Sequence, residues 1–349
     1  VKDRPRFIFT ISHMKFTRNT MLVYEQAMYS RDFVSRQDTT VIMTKDTKAP
    51  NQPRTILFGK SEYTFPSDEL RPLRDSSDVL GDAEAMRERL AEDGFLYLPG
   101  FLDREEVLAA RREILAYMEE QGGLEPDSRP LDGVMGQYGK GVPMMGRKLI
   151  THRDAVSRVL AAQRLYELHE MIQGEPVTTY EYKWLRAVGN EEFTGAHMDH
   201  VYMGRGSKRL MTVWIPLADI PVEQGTLCIV PATHRLPEFE KLRNTYGRMD
   251  VDRDRTEGWF TKKPREITDT FGGCWHTTNI QAGDVITFGM HLMHASTTNL
   301  TDKWRISCDV RFQPSADQID PRWAGKEPKG HRPAPDERPM AEARAEWGI

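Results

Sequence analysis

From Val177 onward the chain changes from helical spacing to short apolar runs separated by turn residues, and that change restricts the fold more than any other feature. The runs lie at 177–188, 196–203, 210–217, 226–231, 275–281, 284–289 and 305–313. Such a series predicts an antiparallel sandwich or jelly roll. Upstream, Met86, Leu90 and Ala91 are spaced for a helix over 82–93, and Phe95-Leu96-Tyr97-Leu98 reads as a short strand ending at Pro99-Gly100. Asp103 with Glu106 forms a capping-box pattern. Val107, Ile114, Leu115 and Met118 then make one apolar stripe, which stops at Gly122-Gly123. The region 124–148 is rich in Gly, Pro and Met and reads as loops folded over something, and a last helix is predicted over 153–173. The fold class is therefore mainly β with flanking helices.

Bulk properties narrow the partners. Among 349 residues the formal charge is −4, which gives no general attraction to nucleic acid or anionic membranes. No apolar run approaches the roughly 20 residues of a spanning helix. Cys228, Cys274 and Cys308 are too few and too scattered for a disulfide framework, so a reducing, cytoplasmic setting is expected. The organisation read from composition is a flexible or over-extended segment over 1–54, a domain over 55–315 and a Pro- and charge-rich tail over 316–349 that wraps the surface or stays disordered. Within the domain, helical support spans 82–174 and the β core 175–315, with a lid-like insertion at 235–274. Residues 1–42 are basic and poor in acids; a transit peptide is the rival reading, opposed by Glu25, Asp32 and Asp38.

His197-Met198-Asp199 is the first candidate for chemistry. Two imidazoles and a carboxylate hold a non-haem Fe(II) while leaving positions open. On a strand, residues i and i+2 project from one face, so His197 and Asp199 can share a metal. The third ligand must come from elsewhere, and the segment around His294 is the best candidate, with His291 as fallback. The run Gly283-Asp284-Val285-Ile286-Thr287-Phe288 reads as a turn and a buried strand leading to His294-Ala295-Ser296. Arg305 opens a further alternating strand, where its fork is suited to a carboxylate.

At these positions the chain resembles the phytanoyl-CoA dioxygenase (PhyH-like) family of Fe(II)/2-oxoglutarate oxygenases. The resemblance runs over about 82–315. It includes Thr212-Val213-Trp214-Ile215-Pro216-Leu217, Gly225-Thr226-Leu227, Pro231-Ala232-Thr233-His234 and the final Gly-Asp, His-Ala-Ser, Asn299 and Arg305 series. It implies a double-stranded β-helix (jelly-roll, cupin-like) core with iron on His197, Asp199 and His294. It also implies that Arg305 and Ser296 hold the distal carboxylate of 2-oxoglutarate and that Trp214 lines the cosubstrate pocket, with Arg147 a loosely aligned further contact. The implied activity is oxidation of a small molecule with 2-oxoglutarate and O2, releasing succinate and CO2. Because Asp199 is present, where related halogenases carry a small residue, hydroxylation or another two-electron oxidation is expected rather than halogenation.

Ordinary roles compete for several residues. His200 follows Asp199 and on a strand would face away; His234 suits a fold-stabilising turn; His276 could go either way. Arg205, Lys208 and Arg209 read first as a solvated turn and second as a grip on an acidic substrate group. The polar insertion and these cations suggest a polar or anionic small molecule, while no stretch resembles a CoA-phosphate cradle and nothing fixes an oligomeric state. The competing function is a cupin-like protein that binds a ligand or a structural metal without turnover.

Overall fold

Strand alternation sorts the β core into layers. The computed structural model describes residues 52–136, 141–332 and 336–349, so all but the last three residues of the expected 1–54 segment lie outside the described residues. In chain order β1 (Arg54–Phe58), β2 (Ser61–Phe65) and β3 (Leu70–Pro72) precede α1 (Ala83–Asp93), β4 (Phe95–Leu98) and α2 (Arg104–Glu120). Helices α3 (Lys148–Thr151), α4 (Asp154–Leu160) and α5 (Gln163–Gln173) follow. Then come β5 (Val177–Thr179), β6 (Trp184–Val188), α6 (His200–Met203), β7 (Met211–Pro216) and β8 (Leu227–Ile229). The insertion holds α7 (Glu240–Asn244), α8 (Val251–Asp254) and α9 (Pro264–Phe271). β9 (Trp275–Thr277), β10 (Val285–Gly289), β11 (His294–Ser296), β12 (Arg305–Pro314) and α10 (Met340–Trp347) complete the chain.

The larger sheet has the order β4-β10-β7-β12-β5, with β6 also paired to β12; the smaller has the order β11-β8-β9-β3. Val213, Ile215, Ile306, Cys308 and Val310 form one face of the larger sheet and pack under Ile114, Leu115, Val156 and Leu165 of the helices. Each such side chain, removed fully from water, contributes about 1.5–3 kcal/mol. Trp214, Ile286 and Phe288 on its other face meet Leu227 and Ile229 of the smaller sheet. Cys228, Trp275 and Ala295, on the outer face of the smaller sheet, pack against Phe239, Tyr246 and Phe271 of the insertion. The result is a jelly-roll core of two sheets with helices outside both.

Local signals explain the helix ends. Asp103 accepts from the Glu106 amide at 2.9 Å, and Asp82 caps α1 through the Glu84 and Ala85 amides. Gly94 ends α1 in the left-handed region. Gly283, at φ +104°, makes the turn into β10, where an added Cβ would lie 2.7 Å from the Leu102 carbonyl oxygen. Its neighbour Asp284 accepts from the Tyr97 hydroxyl and the Gly100 amide, so this Gly-Asp pair ties the turn to β4.

One expectation changes, and two regions left open by composition take a definite form. The helix read over 153–173 is two helices, broken where Ala162 turns extended at ψ 134°; α4 packs on α2, whereas α5 packs on α1 and β12. The insertion at 235–274, read as lid-like, folds into short helices with Phe239, Leu242, Tyr246, Phe260 and Ile267 buried, because its aromatic residues find the outer face of the smaller sheet. The tail packs at two places: Asp320 and Trp323 are buried, with Arg322 donating to Asp320 at 2.6 Å, and Met340 and Ala343 pack against the insertion. No helix among the described residues is long and apolar enough to cross a membrane.

Candidate metal centre

His197, Asp199 and His294 converge, each buried, with their ligand atoms all within 4.8 Å of one another. The strand expected at 196–203 is not what brings them together. His197 and His294 form an isolated antiparallel bridge, exchanging backbone hydrogen bonds of 2.9 and 3.0 Å, so the third donor sits directly across from the first. The chain then turns. Asp199 has helical dihedrals (φ −61°, ψ −24°) and opens α6, its carbonyl accepting from the Tyr202 and Met203 amides. The i, i+2 relation survives because this turn, rather than a pleat, brings the carboxylate back toward the first imidazole.

Each donor has its other polar atom occupied. His197 Nδ1 lies 2.8 Å from the Gly195 carbonyl and His294 Nδ1 lies 2.9 Å from the Leu292 carbonyl. A carbonyl only accepts, so both rings carry the proton on Nδ1 and leave Nε2 with a free lone pair. Those Nε2 atoms stand 3.8 and 3.7 Å from Asp199 Oδ1. Asp199 Oδ2 instead accepts from the Thr212 hydroxyl and, at 3.2 Å, from the Arg311 guanidinium. Metal-binding groups are commonly oriented by outer partners of this kind. Burial pushes the His197 imidazole down to about 3, and the neighbouring His294 ring adds to it, so it stays neutral. Burial acts to raise Asp199, but Arg311, the two imidazoles and Thr212 outweigh it and hold the carboxyl well below its ordinary range.

The cavity beside these donors is walled by both sheets. Register aligns Asp309 with Trp214 and Arg311 with Thr212 between β12 and β7, and Phe288 with Thr212 between β10 and β7. Directly opposed residues share a face. Ser296 and Leu227, opposed between β11 and β8, close the other side. Ser296 Oγ accepts from the Thr194 amide at 2.8 Å, leaving its hydroxyl proton available. Arg305 is 3% exposed and bonds to Ser307 through Nη1, while its Nε has no partner among the described residues. Burial, then repulsion from Arg186, pushes this guanidinium down to about 10, so it remains a cation. Gly225 lets the backbone pass beside it, with an added Cβ at 3.5 Å from Arg305 Nε.

All six sequence-derived candidates, His197, Asp199, His294, Trp214, Ser296 and Arg305, line this one cavity. Arg147 does not: it is exposed, at the start of α3. His291 stacks on His200 at 4.4 Å, away from the metal donors. His234 bonds to the Ala91 carbonyl and His276 to the Pro72 carbonyl. Of the basic turn, Arg205 pairs with Asp250 and Arg209 with Glu175 and Asp317, which favours the ordinary reading for both.

Sequence reasoning missed Arg186, Thr212, Asp309 and Arg311. A signal was present: Arg305, Ser307, Asp309 and Arg311 alternate with Ile306, Cys308, Val310 and Phe312, and every one of the eight is buried. A wholly buried strand with one polar face must direct that face at something polar. Arg186 pairs with Asp309, and Arg311 lies 4.5 Å over the Trp184 ring. Beyond the donors an outer chamber of about 340 Å3 opens between Trp184, Tyr202, Met203, Trp259 and His331. The insertion and the tail thus each supply part of its wall.

A model of the phytanoyl-CoA dioxygenase (PhyH) family matches residues 90–307, well over half of the chain. Two curated relatives are each named 1-deoxypentalenic acid 11-beta-hydroxylase. The one from Streptomyces exfoliatus is 24% identical over 268 residues, covering 72% of this chain and 88% of the relative. The one from Streptomyces arenae is 25% identical over 266 residues, with the same coverage. Among solved structures, the epimerase SnoN in complex with Fe3+, alpha ketoglutarate and nogalamycin RO matches at 23% identity and a TM-score of 0.48, covering 74% of this chain and 97% of its own. The carbocyclase SnoK from nogalamycin biosynthesis matches at 18% identity and a TM-score of 0.48, covering 72% and 89%.

Proposed function

Since this chain belongs to the phytanoyl-CoA dioxygenase (PhyH) family and is an Fe(II)/2-oxoglutarate-dependent oxygenase, we propose that it hydroxylates a small molecule held in the outer chamber, using His197, Asp199 and His294 as iron ligands. The observation that carries this reading is the state of the three donors: each points a free lone pair at a common point, with its second polar atom already bonded. Three protein donors would leave a bound iron with open positions, which suits catalysis, whereas structural sites close their shell. When bound, the metal with 2-oxoglutarate and O2 supplies the oxidising chemistry, with release of succinate and CO2.

The protein's own part is positioning. Arg305, with the Ser296 hydroxyl, receives the distal carboxylate of 2-oxoglutarate, an anion costly to bury without a cation. Trp214 gives that pocket a flat apolar wall, and Thr212 and Arg311 keep Asp199 oriented. In the cavity and chamber Arg186 pairs with Asp309 and Arg311 with Asp199, so the one cation among the described residues there without a carboxylate is Arg305, the group that takes the 2-oxoglutarate carboxylate. Trp184, Tyr202 and Trp259 add an aromatic surface for an apolar body and exclude water from the reacting bond.

Anaerobic titration with Fe(II) and 2-oxoglutarate tests the centre: the expected result is a weak visible charge-transfer band that is lost in Asp199→Ala. Substrate screening for stimulated succinate release, followed by product analysis under labelled O2, tests the outcome. Label in the product supports hydroxylation. Product without label would instead mean epimerisation or ring closure.

A further inference from the structure

A second recess is lined in part by residues next to the metal-ligand segments, and its charge is opposite to the chain's. Arg205, Lys208, Arg243, Arg248 and Arg253 line about 490 Å3 of space, together with the stacked rings of His200 and His291. The whole chain carries −4, so five cations around one depression are a local concentration rather than the average surface. Two of them are neutralised: Arg205 forms a two-armed pair with Asp250 at 2.6 Å, and Arg253 pairs with Asp254 at 2.7 Å. Lys208, Arg243 and Arg248 have no carboxylate partner among the described residues. Lys208 donates to the Gly204 carbonyl and Arg243 to the Thr233 and Leu236 carbonyls, contacts that hold these groups without cancelling their charge. Burial first, then Lys208, Arg243, His234 and Arg248, push the His291 imidazole down to about 4.

We propose that this recess is a binding site for a phosphate-bearing small molecule, with Lys208, Arg243 and Arg248 as its charge partners. Three uncompensated cations in one concave site match a group of two or more negative charges, and guanidinium forks suit phosphate oxygens. No residue lining the recess lines the iron cavity or the outer chamber, so the ligand held there is distinct from the oxidised substrate. Its walls are nevertheless continuous with the metal site: His200 follows Asp199, and His291 lies three residues before His294.

Calorimetric titration of the metal-free protein with pyrophosphate tests the site. The expected result is saturable one-to-one binding with a dissociation constant below about 1 mM. Lys208→Ala and Arg248→Ala, both at exposed positions, each weaken it by about fivefold or more. Arg305→Ala, in the iron cavity, leaves it unchanged, which separates this site from the cosubstrate pocket. Arg209→Ala, at a cation already paired with Glu175 and Asp317, also leaves it unchanged. Absence of saturable binding, or binding that persists in Lys208→Ala and Arg248→Ala, overturns the proposal. Equal weakening by Arg209→Ala overturns it too, because that pattern means diffuse surface attraction; loss in Arg305→Ala overturns it by moving the ligand to the cosubstrate pocket.

Discussion

Replacing Arg305 with methionine separates what this residue does for folding from what it does for catalysis. In the ligand-free protein the guanidinium is 3% exposed, has no carboxylate partner within 4 Å among the described residues, and leaves Nε unbonded. Its fall from the ordinary value to about 10 corresponds to roughly 3 kcal/mol against the charged form, set mainly by burial and then by Arg186. Methionine has a similar length and no charge, so the metal-free variant is expected to gain part of that, about 1–2 kcal/mol, and to melt a few degrees higher. The same change leaves the distal carboxylate of 2-oxoglutarate buried without its cation. Losing one member of such a pair costs about 3–5 kcal/mol, or a rise of between a hundredfold and several-thousandfold in the 2-oxoglutarate requirement. Iron affinity, set by donors on other segments, should change by no more than about threefold. Melting of the metal-free protein, anaerobic Fe(II) titration and succinate release against 2-oxoglutarate concentration measure the three quantities. A variant that is less stable, or that loses iron and 2-oxoglutarate in parallel, would refute the assignment of Arg305 as a preformed anion site.

Further outcomes follow from other contacts. Thr212→Val and Arg311→Leu each remove one of the two hydrogen bonds to Asp199 Oδ2, and anaerobic titration should show Fe(II) affinity lowered about 10- to 100-fold with the far-ultraviolet spectrum unchanged. His169 is fully buried between Phe312 and Thr287, and burial pushes it down to about 4. The unfolded chain therefore binds a proton first as pH falls, and stability should drop between about pH 6.5 and 4, by at most roughly 3 kcal/mol for this one group. Denaturant melts across that range should show a shallower slope in His169→Gln, and an unchanged slope would count against the buried neutral ring. Trp259→Ala, at the rim of the outer chamber, should raise the KM for the organic substrate while uncoupled 2-oxoglutarate turnover stays intact.

Local chemistry was legible along the chain. Caps at Asp82 and Asp103 and alternation through Thr212–Leu217 are properties of neighbouring residues, so helix starts and strand faces could be read directly. The donor types were equally plain: His197, Asp199 and His294 are residues that ligate iron, and Arg305 is one that grips a carboxylate. How the donors meet was not. Asp199 turns into a helix because long-range hydrogen bonds, from His197 to His294 and from His200 to Met290, fix the backbone on both sides. Arg311 reaches Asp199 across 112 residues, a pairing set by the register of β12 on β7.

The sequence by itself determined that helices precede a β core and which side chains could carry iron chemistry, because periodicity and donor chemistry belong to each segment alone. The tertiary structure decided which lone pairs stay free, which cations stand without partners, and that the insertion and tail are packed walls. Those properties depend on strand register and on burial, and both arise only when segments distant in sequence share one interior.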